Sequence, residues 1–241
     1  IGSGSSTSGP YAITVGGSAT SDHAVSIGGV AGNSQATAVG SGSSATGQQS
    51  TAIGAYSAVS GSHAVTVGGT ASGDNAVSVG GVASDNATAV GRGSTASGGQ
   101  STAVGFQSAA GGSNSTAVGL SAAASGSSAT AAGYGTNAQG NYSTALGNMS
   151  SAKGENSTAV GGASARGKNV TAIGRSSTVE GYDDDSVTDA TAIGGAHVGG
   201  DANYSTAIGS NATTNQNYGV ALGYNSNVSY ASTGVGSGTK A

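Results

Sequence analysis

The sequence predicts an all-β solenoid, a stack of short coils in which each coil pairs with the next. Three observations carry this reading. One five-residue string returns along the whole chain, its positions alternate between β-branched or aliphatic and small residues, and glycine closes every copy. The string is clearest at Ser101-Thr102-Ala103-Val104-Gly105, Ser115-Thr116-Ala117-Val118-Gly119, Ser143-Thr144-Ala145-Leu146-Gly147 and Ser157-Thr158-Ala159-Val160-Gly161. Variants run from Ala12-Ile13-Thr14-Val15-Gly16 to Ser232-Thr233-Gly234-Val235-Gly236, 17 copies in all.

The closing glycines fall at 16, 28, 40, 54, 68, 80, 91, 105, 119, 133, 147, 161, 174, 194, 209, 223 and 236, most often 14 apart. Spacings of 11 to 13 often follow a double glycine, as at Gly28-Gly29, Gly68-Gly69 and Gly80-Gly81, and read as coils with one tightened turn. The second position of the string is always β-branched: Thr in most copies, Ile13, Val25, Val65, Val77 and Val220 in others. The fourth is Val, Ile or Leu except at Ala132, and the first and third are small. Strict alternation with period two describes a strand, and Thr, Val and Ile suit a pleated surface. The glycine that follows suits a tight turn.

Between copies lies a weaker partner string, such as Ser44-Ala45-Thr46-Gly47, Ser57-Ala58-Val59-Ser60-Gly61 and Ser151-Ala152-Lys153-Gly154. A coil therefore divides into two strands of about five residues and two turns, and stacking at about 4.8 Å would give a rod about 80 Å long. No helix is expected, because Gly and β-branched residues are too frequent and no 3.6-residue apolar stripe appears.

Composition sets limits on function. Of 241 residues, 47 are Gly, one is Pro and none is Cys, so disulfide scaffolds and thiolate metal sites are excluded. Val, Ile, Leu and Phe together make about one residue in seven, a share that by itself suggests disorder. The registered repeat and a charged fraction of only 7% oppose that. A formal net charge of −4 gives no support to nucleic-acid binding. No apolar run reaches the length of a membrane-spanning helix. No nucleophile, base and orienter fall into a set, so no enzyme and no cofactor are expected. The Asn-x-Ser/Thr strings, as at Asn114, Asn141, Asn156, Asn169 and Asn203, arise because the repeat opens that way.

A coil this thin buries little. A large apolar side chain contributes about 1.5–3 kcal/mol when buried, against about 1–2 kcal/mol of backbone entropy per ordered residue. Ladder hydrogen bonds help, and association that covers a second face would help more. Both faces of the main strand are uncharged in nearly every copy, which fits a strand covered on both sides. The structural positions are then Val104, Val118, Val160, Ile173, Ile193 and Ile208 in one column, and Ala103, Ala117 and Ala159 in the other. The bulkier Val and Thr columns are assigned to the coil interior and the Ala column to a neighbouring chain. The reverse orientation satisfies the same alternation.

The Ser-Thr-Ala-Val-Gly string on its 14-residue period, with Ser-x-Ala-x-Gly between copies, resembles the head repeats of YadA-like trimeric autotransporter adhesins. The resemblance covers essentially residues 1–241 as one head domain with an insertion around 182–190. It implies a left-handed parallel β-roll, a homotrimer, and a place at the tip of a fibre on the outer membrane of a Gram-negative bacterium. It also implies adhesion to extracellular matrix proteins, host cells or sister bacteria. No neck motif, heptad stalk or membrane anchor is visible, so an excised head is expected.

Ligand sites are sought where the repeat breaks. The insertion between Gly174 and Gly194 carries Asp183, Asp184, Asp185 and Asp189. A projecting loop that binds a cation or partner is one reading; a solvated insertion is preferred, because the glycine and terminal glutamate of a calcium loop are missing. Lys153, Arg166, Lys168 and Arg175 fall in two adjacent coils and could contact acidic matrix or glycan groups. A solvated turn edge with Glu155 and Glu180 as local partners is the preferred alternative. His23 and His63 share a repeat position and read as polar turn residues. Tyr56, Tyr134, Tyr224 and Phe106 follow closing glycines and cover turn edges. Two other functions compete with adhesion: a passive fibre spacer, and an ice-binding solenoid. The latter is disfavoured because Val interrupts the Thr column.

Overall fold

The computed structural model of the chain describes residues 2, 4–180 and 187–241, and every helix or strand among them is a strand. Two compact units are present, residues 1–114 and 115–241. In the first, eight three-residue strands run from Ile13–Val15 to Thr102–Val104. They alternate with nine two-residue strands, from Ser6–Thr7 to Ala109–Ala110. In the second, nine strands from Thr116–Val118 to Thr233–Val235 alternate with others from Ala123–Ala124 to Asn227–Val228, which have two residues except Thr178–Glu180 and His197–Gly199.

Each unit is a parallel β-solenoid. Every described strand pair is parallel and joins equivalent residues of successive coils. In the first unit Val65, Thr66 and Val67 pair with Val77, Ser78 and Val79. In the second, Thr144, Ala145 and Leu146 pair with Thr158, Ala159 and Val160, while Ser151 and Ala152 pair with Ser164 and Ala165. Register survives the longest spacing: Thr171, Ala172 and Ile173 pair with Thr191, Ala192 and Ile193. Every closing glycine follows a three-residue strand, as the repeat predicts. The strands are shorter than the expected five residues, because the turns take more of each coil. The left-handed residue of one turn, such as Asn156 (φ 55°), already lies two positions before its strand.

The interior corrects the assignment of faces. Ala103, Ala117 and Ala159 have no exposed surface, and neither do Ser26, Thr66 and Ser78, which replace Ala in their copies. The Val column points outward instead. Val118 is 41% exposed, Ile173 38% and Ile208 39%, while Val104, Val160 and Ile193 are partly exposed. The Thr102 column lies on the same outer side, partly exposed. The reason is width. The interior is filled from both sheets, by the Ala103 column from one and by Ala96, Ala110, Ala138 and Ala152 from the other, all fully buried. Two facing methyl groups fit where two facing isopropyl groups do not. Valine reaches the interior at Val59 in the first unit, and at Val170, Val179, Val187, Val198 and Val228 in the second.

Glycine is required where backbones of successive coils touch. A Cβ on Gly140 would collide with the Gly154 carbonyl. The double glycines mark shortened turns as expected: two residues separate Val65–Val67 from Thr70–Ala71, whereas four separate Thr51–Ile53 from Ala58–Val59. A serine in the preceding coil secures several of them. Ser150 Oγ donates to the Leu146 carbonyl (2.6 Å) and accepts from Gly162 N–H (2.9 Å). Ser177 repeats this with the Ile173 carbonyl (2.7 Å) and Gly195 N–H (2.9 Å).

Three expectations follow for urea unfolding. Ala145→Leu overfills the interior and should lower stability by about 1–3 kcal/mol or more. Ser150→Ala strands a backbone N–H and should cost about 1–3 kcal/mol. Ser157, whose buried Oγ has no hydrogen-bond partner among the described residues, should tolerate Ala with no loss.

Candidate binding surface

A coil has two turn edges and an outer face on each sheet. Along the edge that follows the short strands, one residue sits in the left-handed region in every coil but the last. His23 (φ 54°) and His63 (φ 58°) occupy it in the first unit, and Asn156 (φ 55°), Asn169 (φ 56°) and Asp189 (φ 54°) in the second. Such backbone costs roughly 1–2 kcal/mol for an ordinary L-residue and is easiest for Asn, Asp and Gly. Contacts between adjacent rungs offset it. Gln49 Nε2 donates to Gln35 Oε1 (2.9 Å) and Asn75 Nδ2 to Asn86 Oδ1 (3.1 Å). The Tyr11 and His23 rings stack at 4.9 Å, and Tyr204 stacks on Tyr218 at 5.4 Å. The two histidines are therefore polar turn rungs. His197 lies elsewhere, on the strand His197–Gly199, with Nδ1 2.6 Å from Thr178 Oγ1.

The four basic residues do not converge. Lys153 and Arg166 follow the short strands Ser151–Ala152 and Ser164–Ala165, and Lys168 lies in the turn beyond. Arg175 follows Thr171–Ile173 and stands at the opposite edge. Two of the three on the first edge are paired with the acidic residues named as their local partners. Lys168 Nζ lies 3.0 Å from Glu155, and Arg166 Nη1 lies 3.6 Å from Glu180. Both pairs join successive coils and are nearly half exposed, so each contributes little. Lys153 and Arg175 have no charged partner among the described residues.

Asp183, Asp184 and Asp185 lie outside the described residues. The C-terminal flank of their insertion is built into the coil. Val187 is buried, Lys168 bridges Thr188 in parallel, and Asp189 Oδ1 accepts from Asn169 Nδ2 (3.1 Å). Asp189 is thus a rung of the turn ladder. Near the end of the second unit, Asp201, Asn215, Gln216, Asn217 and Tyr230 line a cleft of about 230 Å³ that sequence reading did not single out. Tyr204 and Tyr218 stack in the same stretch. Their 14-residue spacing on the repeat could have signalled the stack.

The outer face of the three-residue strands carries exposed aliphatic side chains in both units. In the first unit Ile27, Ile53, Val65, Val67, Val77 and Val79 present it in paired rows. In the second, Val118, Leu146, Ile173 and Ile208 do so. Exposed aliphatic rows of this kind make the face a candidate interaction surface.

The family model described as the YadA head domain repeat (2 copies) matches residues 31–57, 83–108, 138–164 and 201–226. Each matched stretch contains two three-residue strands and the short strand between them, such as Thr144–Leu146, Ser151–Ala152 and Thr158–Val160. No curated protein sequence matches the chain.

Charge pairs at this edge are expected to be marginal. A double-mutant cycle on Lys168→Met and Glu155→Gln, followed by thermal melting, should give a coupling below about 1 kcal/mol that falls with added salt.

Proposed function

We propose that this chain, which belongs to the YadA head domain family, is the ligand-presenting head of a trimeric adhesin that attaches a Gram-negative bacterium to host matrix proteins or cells. The family is one of bacterial cell-surface adhesins, structural rather than enzymatic. Residues 1–241 act as a single head domain, held outside the outer membrane by parts of a longer fibre. Three chains associate in a left-handed roll arrangement as in the family, and contacts between heads of neighbouring cells support autoaggregation.

The observation that carries the reading is the outward aliphatic column. A small β-domain gains nothing from holding Val118, Ile173 and Ile208 about two-fifths exposed. Each would return roughly 1–2 kcal/mol more if covered. Their partner columns are Thr and small residues, so the face is flat and uncharged. A second and third copy of the same face supply the cover, as expected for a symmetric obligate assembly. The Ala column cannot do this, because it already fills the interior.

Sedimentation equilibrium should show a trimer. The double variant Ile173→Asp/Ile208→Asp should lower the association constant by several orders of magnitude and lower the melting temperature with it. A monomer of undiminished stability would sink the trimer reading. Beads coated with the trimer should adhere to collagen, fibronectin, laminin or cultured cells. Failure on all of them would leave a passive fibre spacer.

A further inference from the structure

A notch stands at the second turn edge, beside the outer face. Most coils carry a four-residue turn there, such as Gly147-Asn148-Met149-Ser150 and Gly174-Arg175-Ser176-Ser177. The coil between these two is one residue short. Gly161 (φ +78°) and Gly162 (φ +82°) make a direct corner, and no side chain projects from it. Asn148 and Met149 on one side and Arg175 and Ser176 on the other then face each other across two coil spacings, about 10 Å. The space left is a cavity of about 560 Å³, lined by Asn148, Met149, Gly161, Gly162, Arg175 and Ser176.

Two exposed polar groups without a protein partner among the described residues line it. In regular turns the residue after the closing glycine accepts a backbone hydrogen bond from the following coil, as Tyr134 does from Met149 N–H (2.9 Å). The short turn lacks the donor, so the Asn148 carbonyl has no backbone partner among the described residues, and it faces Gly162. The Arg175 guanidinium likewise has no hydrogen-bond or ion-pair partner among them. Met149 is 64% exposed and supplies an apolar, adaptable wall. Arg92, which also follows a closing glycine, is instead committed to the Phe106 ring at 5.6 Å.

We infer that this notch is a binding slot for an extended acidic peptide segment of a partner protein. The vacancy is one coil spacing deep on each side, which is the room a strand-like backbone occupies. A peptide N–H from the ligand meets the Asn148 carbonyl, and an Asp or Glu side chain pairs with Arg175 by a charge-assisted, two-pronged hydrogen bond. Its neighbouring side chain lies on Met149. This rests on the adhesin reading and gives that head a ligand chemistry.

The test is fluorescence anisotropy of the assembled protein with a labelled peptide of alternating Thr and Glu, against its Thr/Gln counterpart. The Glu peptide should bind at least about tenfold more tightly. Arg175→Gln should erase that difference, and Lys153→Gln, at the other edge, should leave it. Inserting one Asn between Gly161 and Gly162 restores the regular turn and should abolish binding, with the circular dichroism spectrum unchanged and a melting temperature no lower than that of Ser150→Ala, which loses the same Gly162 N–H bond. Equal binding of the two peptides, or binding that survives both Arg175→Gln and the insertion, overturns the proposal. So does crosslinking that places a second copy of this chain in the slot. If coated beads still adhere to matrix or cells in those cases, the adhesin reading stands without the slot.

Discussion

The narrowness of the coil interior governs the rest of the structure. Two sheets of very short strands face each other closely enough that the residues between them are Ala, Ser and Thr, with valine entering at a few places. Each such methyl contributes under about 1 kcal/mol. A core of this kind has no large anchoring residue, so its stability is spread evenly and depends on stacking. Ladder hydrogen bonds between coils, left-handed turn rungs that touch their neighbours, and serine hydroxyls that tie down short turns all act along the stacking direction. None of them stabilises a coil by itself, which is the nearest-neighbour behaviour expected of a solenoid.

The same constraint decides where the aliphatic side chains go. Val and Ile are the most hydrophobic residues of the repeat, and hydrophobicity alone places them inside. Volume overrules it. They are pushed to the outer face of the three-residue strands, where one chain leaves them partly wet. Burial that a globular domain completes within itself is left incomplete here, and the proposed trimer follows from that displacement.

Much of the fold was legible in the sequence. Period-two alternation and the glycine at each coil end located all the main strands, and the double glycines located shortened turns. The direction of the faces was not legible, because alternation separates two columns without saying which is inside. That depends on the distance between sheets, which the turns set. The basic residues show a similar limit. Proximity in sequence suggested one cluster, but Arg175 and Lys153 stand at opposite turn edges of different coils, and Lys168 and Arg166 are spent on Glu155 and Glu180. The notch beside Arg175 was written in Gly161-Gly162, yet it becomes visible as space only when the flanking turns are seen to be one residue longer.

In-register pairing of equivalent residues has a consequence for how such a chain can change over generations. Each coil meets its neighbours through the same columns, so a whole coil can be duplicated or lost by recombination between near-identical stretches, and every remaining junction is still a legitimate one. Point changes are treated differently, since a misfit in one column is felt by the coils on both sides. The number of coils can then change at little cost, whereas a change within one rung must suit the rungs on both sides of it. Novelty collects at the turns, where an added or missing residue alters the surface without disturbing the stack.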